Sequence, residues 1–224
     1  MPLQKSVYVV LPPLLSTEET EEALRVLHES EKVAGIVANN LGQIQEWKGM
    51  DSRPVVADTG INCLNSRAAE VLRTCKVDRI TVSMESTLAN ASRLASAYDC
   101  EMICHGKLGL MTLRHCPLRT RKGLGEGHAS CMLCGEKGYS LTDRKGVVFP
   151  MIPYIAESGC YVRLFNAHTL DALNCWERVY GIPLQALRVL GSAQEAEAYR
   201  KQISGEHVSL TVDHPTNGLW FRQI

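Results

Sequence analysis

The sequence predicts an α/β fold, an incomplete TIM-like (β/α) barrel with a cysteine-bearing insertion after the fifth strand. Three observations carry that expectation. Short apolar runs alternate with single amphipathic helices through the first hundred residues, polar side chains recur just after those runs, and the rhythm breaks between Lys107 and Cys160. Strands joined by single helices run parallel with right-handed crossovers, so the alternation implies consecutive βα units.

Each element has its own signal. Val7-Tyr-Val-Val-Leu11 is an apolar run stopped by Pro12 and Pro13. Ser16-Thr-Glu-Glu19 is a capping box that opens a helix through about Ser30, with Ala23, Leu24 and Leu27 on its inner face. Val33-Ala-Gly-Ile-Val37 is a second strand ending at Asn39 and Asn40, and Arg53-Pro-Val-Val-Ala57 a third ending at Asp58 and Gly60. Asn65 and Ser66 cap a helix over 67–75; Arg79-Ile-Thr-Val-Ser83 is the fourth strand, followed by a helix over 86–98. Glu101-Met-Ile-Cys104 is the fifth. Beyond a hairpin expected at Tyr139–Phe149, regular structure resumes with a strand at 162–165, a helix at 168–179, a strand at 186–190 and a helix at 192–203.

Polar residues just past the strands (Asn39, Asp58, Asn62, Ser83, Glu85, His105) occupy the positions that line the ligand face of a parallel α/β sheet. They also serve as helix caps and turn residues, and their recurrence is what favours a site. Seven strands fall short of a closed barrel. We therefore expect a single domain over 1–224, with 107–160 as its insertion, that is either the later part of a longer protein or one member of a homo-oligomer.

Charge separates along the chain. Lys and Arg balance Asp and Glu at 24 each, so no global polyanion signal exists. Residues 16–31 nevertheless hold six carboxylates against Arg25, whereas Lys107–Lys145 holds eight Lys or Arg against Glu126, Glu136 and Asp143. No run of about 18 apolar residues and no secretion signal is visible. With nine cysteines, an odd number, this predicts a reducing, cytoplasmic setting.

Four of those cysteines, Cys116, Cys131, Cys134 and Cys160, are spaced as ligands of one centre and sit among glycines and basic residues. A CxxC followed by Gly135 lets two thiolates converge on one metal. Cys63, Cys75, Cys100, Cys104 and Cys175 lie in apolar surroundings and read as buried small hydrophobes. Spacing alone fits zinc and an iron–sulfur cluster equally, with His115 or His128 able to replace one thiolate at zinc. No HExxH or GxSxG occurs, so proteolysis has no assignable machinery. The CxxC lies in an irregular loop, unlike a thioredoxin-type motif at a strand-to-helix turn.

Glu101-Met-Ile-Cys-His105-Gly106-Lys-Leu108 resembles the signature of the collagenase-like peptidase family (peptidase family U thirty-two), which includes tRNA and ribosomal-RNA hydroxylation proteins and ubiquinone-pathway hydroxylation proteins. Ile61-Asn62-Cys-Leu-Asn65-Ser66, Ser83-Met-Glu85, Leu141-Thr-Asp143-Arg144-Lys145-Gly146 and Thr216-Asn-Gly218-Leu-Trp-Phe-Arg222 also match. The resemblance implies a [4Fe–4S] cluster and an oxygen-independent hydroxylation with prephenate as the linked small dicarboxylate, acting on tRNA or rRNA. It nominates Glu101 and His105 as catalytic and Asn62, Asn65 and Glu85 as substrate-binding, and the basic surround of the cysteines adds Arg114, Arg144 and Lys145 as groups able to hold RNA phosphate or a dicarboxylate. The chain departs from the signature at Gly109, where the family places its first cluster cysteine; the second is present as Cys116. The extra cysteine of the CxxC then replaces the missing thiolate. The rival expectation is a zinc-stabilised module that binds RNA or a partner without catalysis.

Overall fold

The computed structural model describes residues 6–123, 139–156 and 159–221. Its strands are β1 (Val7–Val10), β2 (Val33–Ala38), β3 (Val55–Ala57), β4 (Arg79–Thr81), β5 (Cys100–Leu113), β6 (Tyr139–Thr142), β7 (Val148–Ala156), β8 (Gly159–Asp171), β9 (Ala186–Leu190) and β10 (Pro215–Thr216). Its α-helices are α1 (Thr17–Glu29), α2 (Leu41–Met50), α3 (Ser66–Thr74), α4 (Leu88–Ala95), α5 (Pro117–Arg121), α6 (Trp176–Tyr180) and α7 (Ala193–Ile203). This mixed α/β chain divides into two compact units. One comprises Met1–His105, Asp171–Leu210 and Asn217–Ile224; the other comprises Gly106–Leu170 and Thr211–Thr216. The expected cysteine-bearing segment 107–160 falls within the second.

In the first unit β1, β2, β3, β4 and the start of β5 lie side by side in chain order, each parallel to the next, and β9 pairs with β5. Side-chain caps start the helices that link these strands. Ser16 and Glu19 form the anticipated capping box of α1, at 3.1 and 2.8 Å. Asn40, Asn65 and Thr87 cap α2, α3 and α4 through the backbone N–H groups of Gln43, Ala68 and Asn90. A second capping box, Ser192 with Glu195, opens α7. The core between helices and sheet is apolar, with Leu24, Ile36, Ile44, Trp47, Val55 and Leu72 almost wholly removed from water.

Arg53 closes the C-terminal end of α1. Its guanidinium donates to the carbonyls of Leu27, His28, Ser30 and Val33 at 2.8–2.9 Å, and pairs with the buried carboxylate of Asp51. Leu27 and His28 belong to the last turn of α1, where carbonyls lack a full set of intrahelical partners. Hydrogen bonding from Arg53 holds the Asp51 carboxyl well below the usual carboxylate range, against the opposing effect of burial.

The second unit is built on hydrogen-bonded strands in the order β5-β8-β7-β6, with β10 parallel to the end of β8. β6 and β7 form the expected hairpin, closed by the turn at Asp143–Gly146. There the Asp143 carboxylate accepts from the N–H groups of Lys145 and Val147 at 2.7 and 2.9 Å, and Gly146 takes φ +81.

Several elements differ from expectation for physical reasons. α2 has no clear apolar stripe, yet the Asn40 cap and the burial of Ile44 and Trp47 sustain it. β5 does not stop at Cys104 but runs to Leu113, because its later residues gain strand partners in the second unit. The helix anticipated over 168–179 shrinks to α6, since Thr169 and Leu170 are held in β8 by pairing with β10.

Arg53→Ala is expected to cost about 3 kcal/mol at neutral pH in urea unfolding, because Asp51 would stay buried without its cation. A lowered native pKa means that the Asp51 contribution is complete above the unfolded value and fades as pH falls through the native one. The gap between wild type and variant should therefore narrow below about pH 4. A gap that widens there would be the wrong sign.

Candidate functional site

The parallel register of the first unit sets polar side chains in one row across a single sheet face. Ala57 is level with Ile80, which places Asp58, the next residue, level with Thr81, and Thr81 pairs with Glu101. Arg188 of β9 reaches all three. Its guanidinium donates to Asp58 Oδ1 at 2.7 Å, to Thr81 Oγ1 at 3.0 Å, and to Glu101 Oε1. Thr81 Oγ1 in turn donates to Glu101 Oε1 at 3.0 Å, and Arg79 lies 3.6 Å from the other carboxylate oxygen. Asp58, Thr81 and Glu101 are all buried, so the row is a charge-balanced network inside the sheet.

Sequence reasoning nominated Glu101 and passed over Arg188. The signal was available: Arg188 is the one charged residue in the apolar strand Ala186-Leu-Arg-Val-Leu190. A cation in such a run has to find anions on the same face.

Past the ends of β3 and β4, Asn62 adopts a left-handed conformation at φ 54 and accepts from the Ser83 hydroxyl. Ser83 Oγ also accepts from the Glu85 N–H at 3.1 Å. Asn62 and Glu85 are thus gathered around Ser83 with their side chains exposed, whereas Asn65 is engaged as the cap of α3.

His105 lies in a second polar cluster. It is 1% exposed, with Nε2 at 3.2 Å from Glu195 Oε1 and Nδ1 at 3.7 Å from Asp171 Oδ1. Nδ1 has no hydrogen-bond partner among the described residues. The Tyr199 hydroxyl lies 2.9 Å from Asp171 Oδ1 and 3.0 Å from the Cys104 carbonyl, and accepts from the Ala172 N–H. Burial, then the neighbouring anionic groups, push the Tyr199 phenol far up, so it stays neutral. Backbone and side-chain hydrogen bonds from Ser192, and then the bond to His105, hold Glu195 below the usual carboxylate range. The imidazole is thus fixed between two carboxylates within the fold. Asp171, Glu195 and Tyr199 were not legible as partners, because they stand 66 to 94 residues from His105 in sequence.

In the second unit Arg114 lies over the Tyr161 ring at 5.9 Å, and Arg144 and Lys145 are exposed in the β6–β7 turn. Cys116 is the residue before α5, and Cys160 lies in β8; both are half-buried. Cys131 and Cys134 lie outside the described residues. Among the described residues no three His, Cys, Asp or Glu side chains form a group that could hold a metal ion. The cysteines differ in chemistry. Burial pushes the Cys100 and Cys104 thiols up to about 12 and raises those of Cys63 and Cys175. Sealed thiols of that kind make poor ligands, because a metal binds the thiolate. Cys63, Cys100 and Cys104 are the buried hydrophobes expected, while Cys75 and Cys175 are half-buried.

A cavity of about 440 Å³ also opens in the first unit, lined by Arg73, Asp78, Tyr98, Asp99 and Gln185. Asp78, Asp99 and Gln185 directly precede β4, β5 and β9, so the cavity sits at the amino ends of the strands. Ligands of open α/β sheets bind at the carboxyl ends, and the polar groups above are better placed for chemistry.

Replacing Arg188 with Met should cost about 3–5 kcal/mol, because Asp58 and Glu101 would remain buried without their shared cation. Adding Glu101→Gln to Arg188→Met should recover part of the loss. Urea unfolding of the three proteins measures both effects, and a cost below about 1 kcal/mol for Arg188→Met would show that the row carries little energy.

A search of curated proteins and a search of solved structures each find nothing that matches the chain. No helix among the described residues is long and apolar enough to cross a membrane. The model of peptidase family U32 matches residues 2–206, nearly the whole length, and the chain belongs to that family.

Proposed function

We propose that the chain is an iron–sulfur protein of RNA base hydroxylation, working without oxygen and with prephenate as the linked dicarboxylate. The observation that carries the reading is the family match over residues 2–206 on a chain that keeps four cysteines in ligand spacing. In this reading the first unit is part of a (β/α) barrel, consistent with parallel strands laid down in chain order.

Cys116, Cys131, Cys134 and Cys160 would hold the [4Fe–4S] cluster, which supplies one-electron redox chemistry when bound. The donor set suits it: Cys116 and Cys160 are only half-buried, unlike the sealed Cys100 and Cys104. His105 would hold a proton between Asp171 and Glu195, with Glu101 holding Arg188 in place beneath the strand ends. Arg114, Arg144 and Lys145 would take RNA phosphates or a carboxylate, and Asn62, Asn65 and Glu85 would contribute at the strand ends. The setting is cytoplasmic in this reading, and a further segment or a second copy would cover the outer edge of β1.

Zinc is the second reading, favoured by the same CxxC and by His115 beside Cys116. The chain would then be a binding module without catalysis. Anaerobic purification followed by absorption spectroscopy and metal analysis separates the two. Broad visible absorption with about four iron per chain is expected; a colourless protein holding about one zinc would overturn the cluster. Cys134→Ser should lose the metal while far-UV circular dichroism stays unchanged, and full metal retention would remove Cys134 from the ligand set. Nucleoside mass spectrometry of RNA from a deletion strain should lose one hydroxylated base. An unaltered nucleoside profile would end the RNA reading.

A further inference from the structure

We propose that the exposed sheet face of the second unit is a binding platform for single-stranded RNA, a surface that deepens the RNA reading above and rests on it for the identity of the ligand. One face of this sheet is mostly buried, although Leu110 and Leu141 on it are exposed, and the other is more open. Leu108, Met151 and Val162 point to the buried side, while their neighbours Ile152 and Tyr154 are 46% and 43% exposed. Register puts Arg163 directly across from Ile152 on this outer side; Tyr161, across from Tyr154, is 6% exposed beneath the Arg114 guanidinium and forms the floor of the face. Phe165 follows on β8 with its ring 5.3 Å from the Arg163 guanidinium carbon. Met111 of β5 and Val148 of β7 are more than half exposed.

Charge selects the ligand. The portions of β5, β6, β7 and β8 in this unit contain no Asp or Glu, and its described residues hold eight Lys or Arg against Asp143 and Asp213. Asp143 is turned into its own hairpin turn by the Lys145 and Val147 N–H groups. Flat aromatic and apolar side chains interleaved with guanidinium groups, on a strand surface free of carboxylates, suit unpaired bases on a phosphate backbone. A duplex hides its base faces and would forgo the stacking.

Gly109 has a role on this face. A Cβ at Gly109 would lie 2.4 Å from Arg163 Nε and 2.6 Å from Nη2, so the missing side chain is what lets the guanidinium lie against β5 beside Phe165. The departure from the family signature at this position thus exchanges a thiol for a seated cation.

The test is fluorescence anisotropy of a labelled single-stranded RNA of about a dozen nucleotides, titrated with the full chain at low and moderate salt. Binding should weaken steeply with salt, and a duplex of the same sequence should bind more weakly. Tyr154→Ala and Arg163→Gln should each reduce affinity about tenfold. Gly109→Ala, which keeps every charge and displaces only a flexible side-chain end, should reduce it several-fold. Unfolding midpoints of the variants separate lost binding from lost folding. No binding, affinity unchanged in all three variants, salt-insensitive binding, or equal affinity for the duplex would each overturn the platform, the salt-insensitive case pointing to a protein partner instead. Metal content and nucleoside profile are read separately. Retained RNA binding with an unaltered nucleoside profile would end the hydroxylation reading and leave the platform standing.

Discussion

The first unit depends on one guanidinium. Arg188 enters the sheet from β9 and meets Asp58 after β3, Thr81 on β4 and Glu101 on β5. Parallel strands in matched register carry side chains at common heights, so a polar residue on one strand faces its neighbours' residues at that level. Two buried carboxylates there would repel each other and lose their hydration. A single cation shared between them removes both penalties and ties the late strand β9 to strands formed some ninety to one hundred and thirty residues earlier. The apolar core beneath the helices supplies the bulk of the driving force, while Arg188 links β9 to the residues of β3, β4 and β5 at one level.

Arg53 does comparable work at the edge of the same unit. It donates to the Leu27 and His28 carbonyls in the last turn of α1 and lies 5.0 Å from the centre of the buried Trp47 ring. One side chain thereby joins a helix terminus, a carboxylate and the largest core residue. Such a residue is read poorly from sequence, because each of its partners is ordinary by itself.

Burial sorts the cysteines into two chemical classes. Cys63, Cys100 and Cys104 are packed as hydrophobes with raised thiols, whereas Cys116 and Cys160 stay within reach of solvent in the second unit. The same unit sets a mostly buried sheet face against one where Ile152 and Tyr154 are exposed beside Arg163. In the proposed reading, a cluster and an RNA phosphate would both benefit from that positive surround, which lowers the cost of thiolates and phosphates alike.

Much of the architecture was legible because it rests on local rules. The capping box at Ser16, the helix starting at Ser192, the apolar runs at β2 and β3 and the hairpin at 139–149 each have causes within a few residues. His105 could be nominated from its place past the fifth strand, and Glu101 from the resemblance to the family signature. Their partners could not, since Arg188, Asp171, Glu195 and Tyr199 reach them only through strand pairing and helix docking. The lengths of β5 and β8 were hidden for the same reason: a strand persists where another strand satisfies its backbone, and that partner is distant in sequence. The sequence by itself determined the alternating βα plan, the capped starts of α1, α3 and α7 and the cysteine spacing, all products of short-range sterics and hydrogen bonding. Tertiary structure decided which charges neutralise one another, which thiols are sealed, and which sheet face meets water, because those depend on neighbours that only folding brings together.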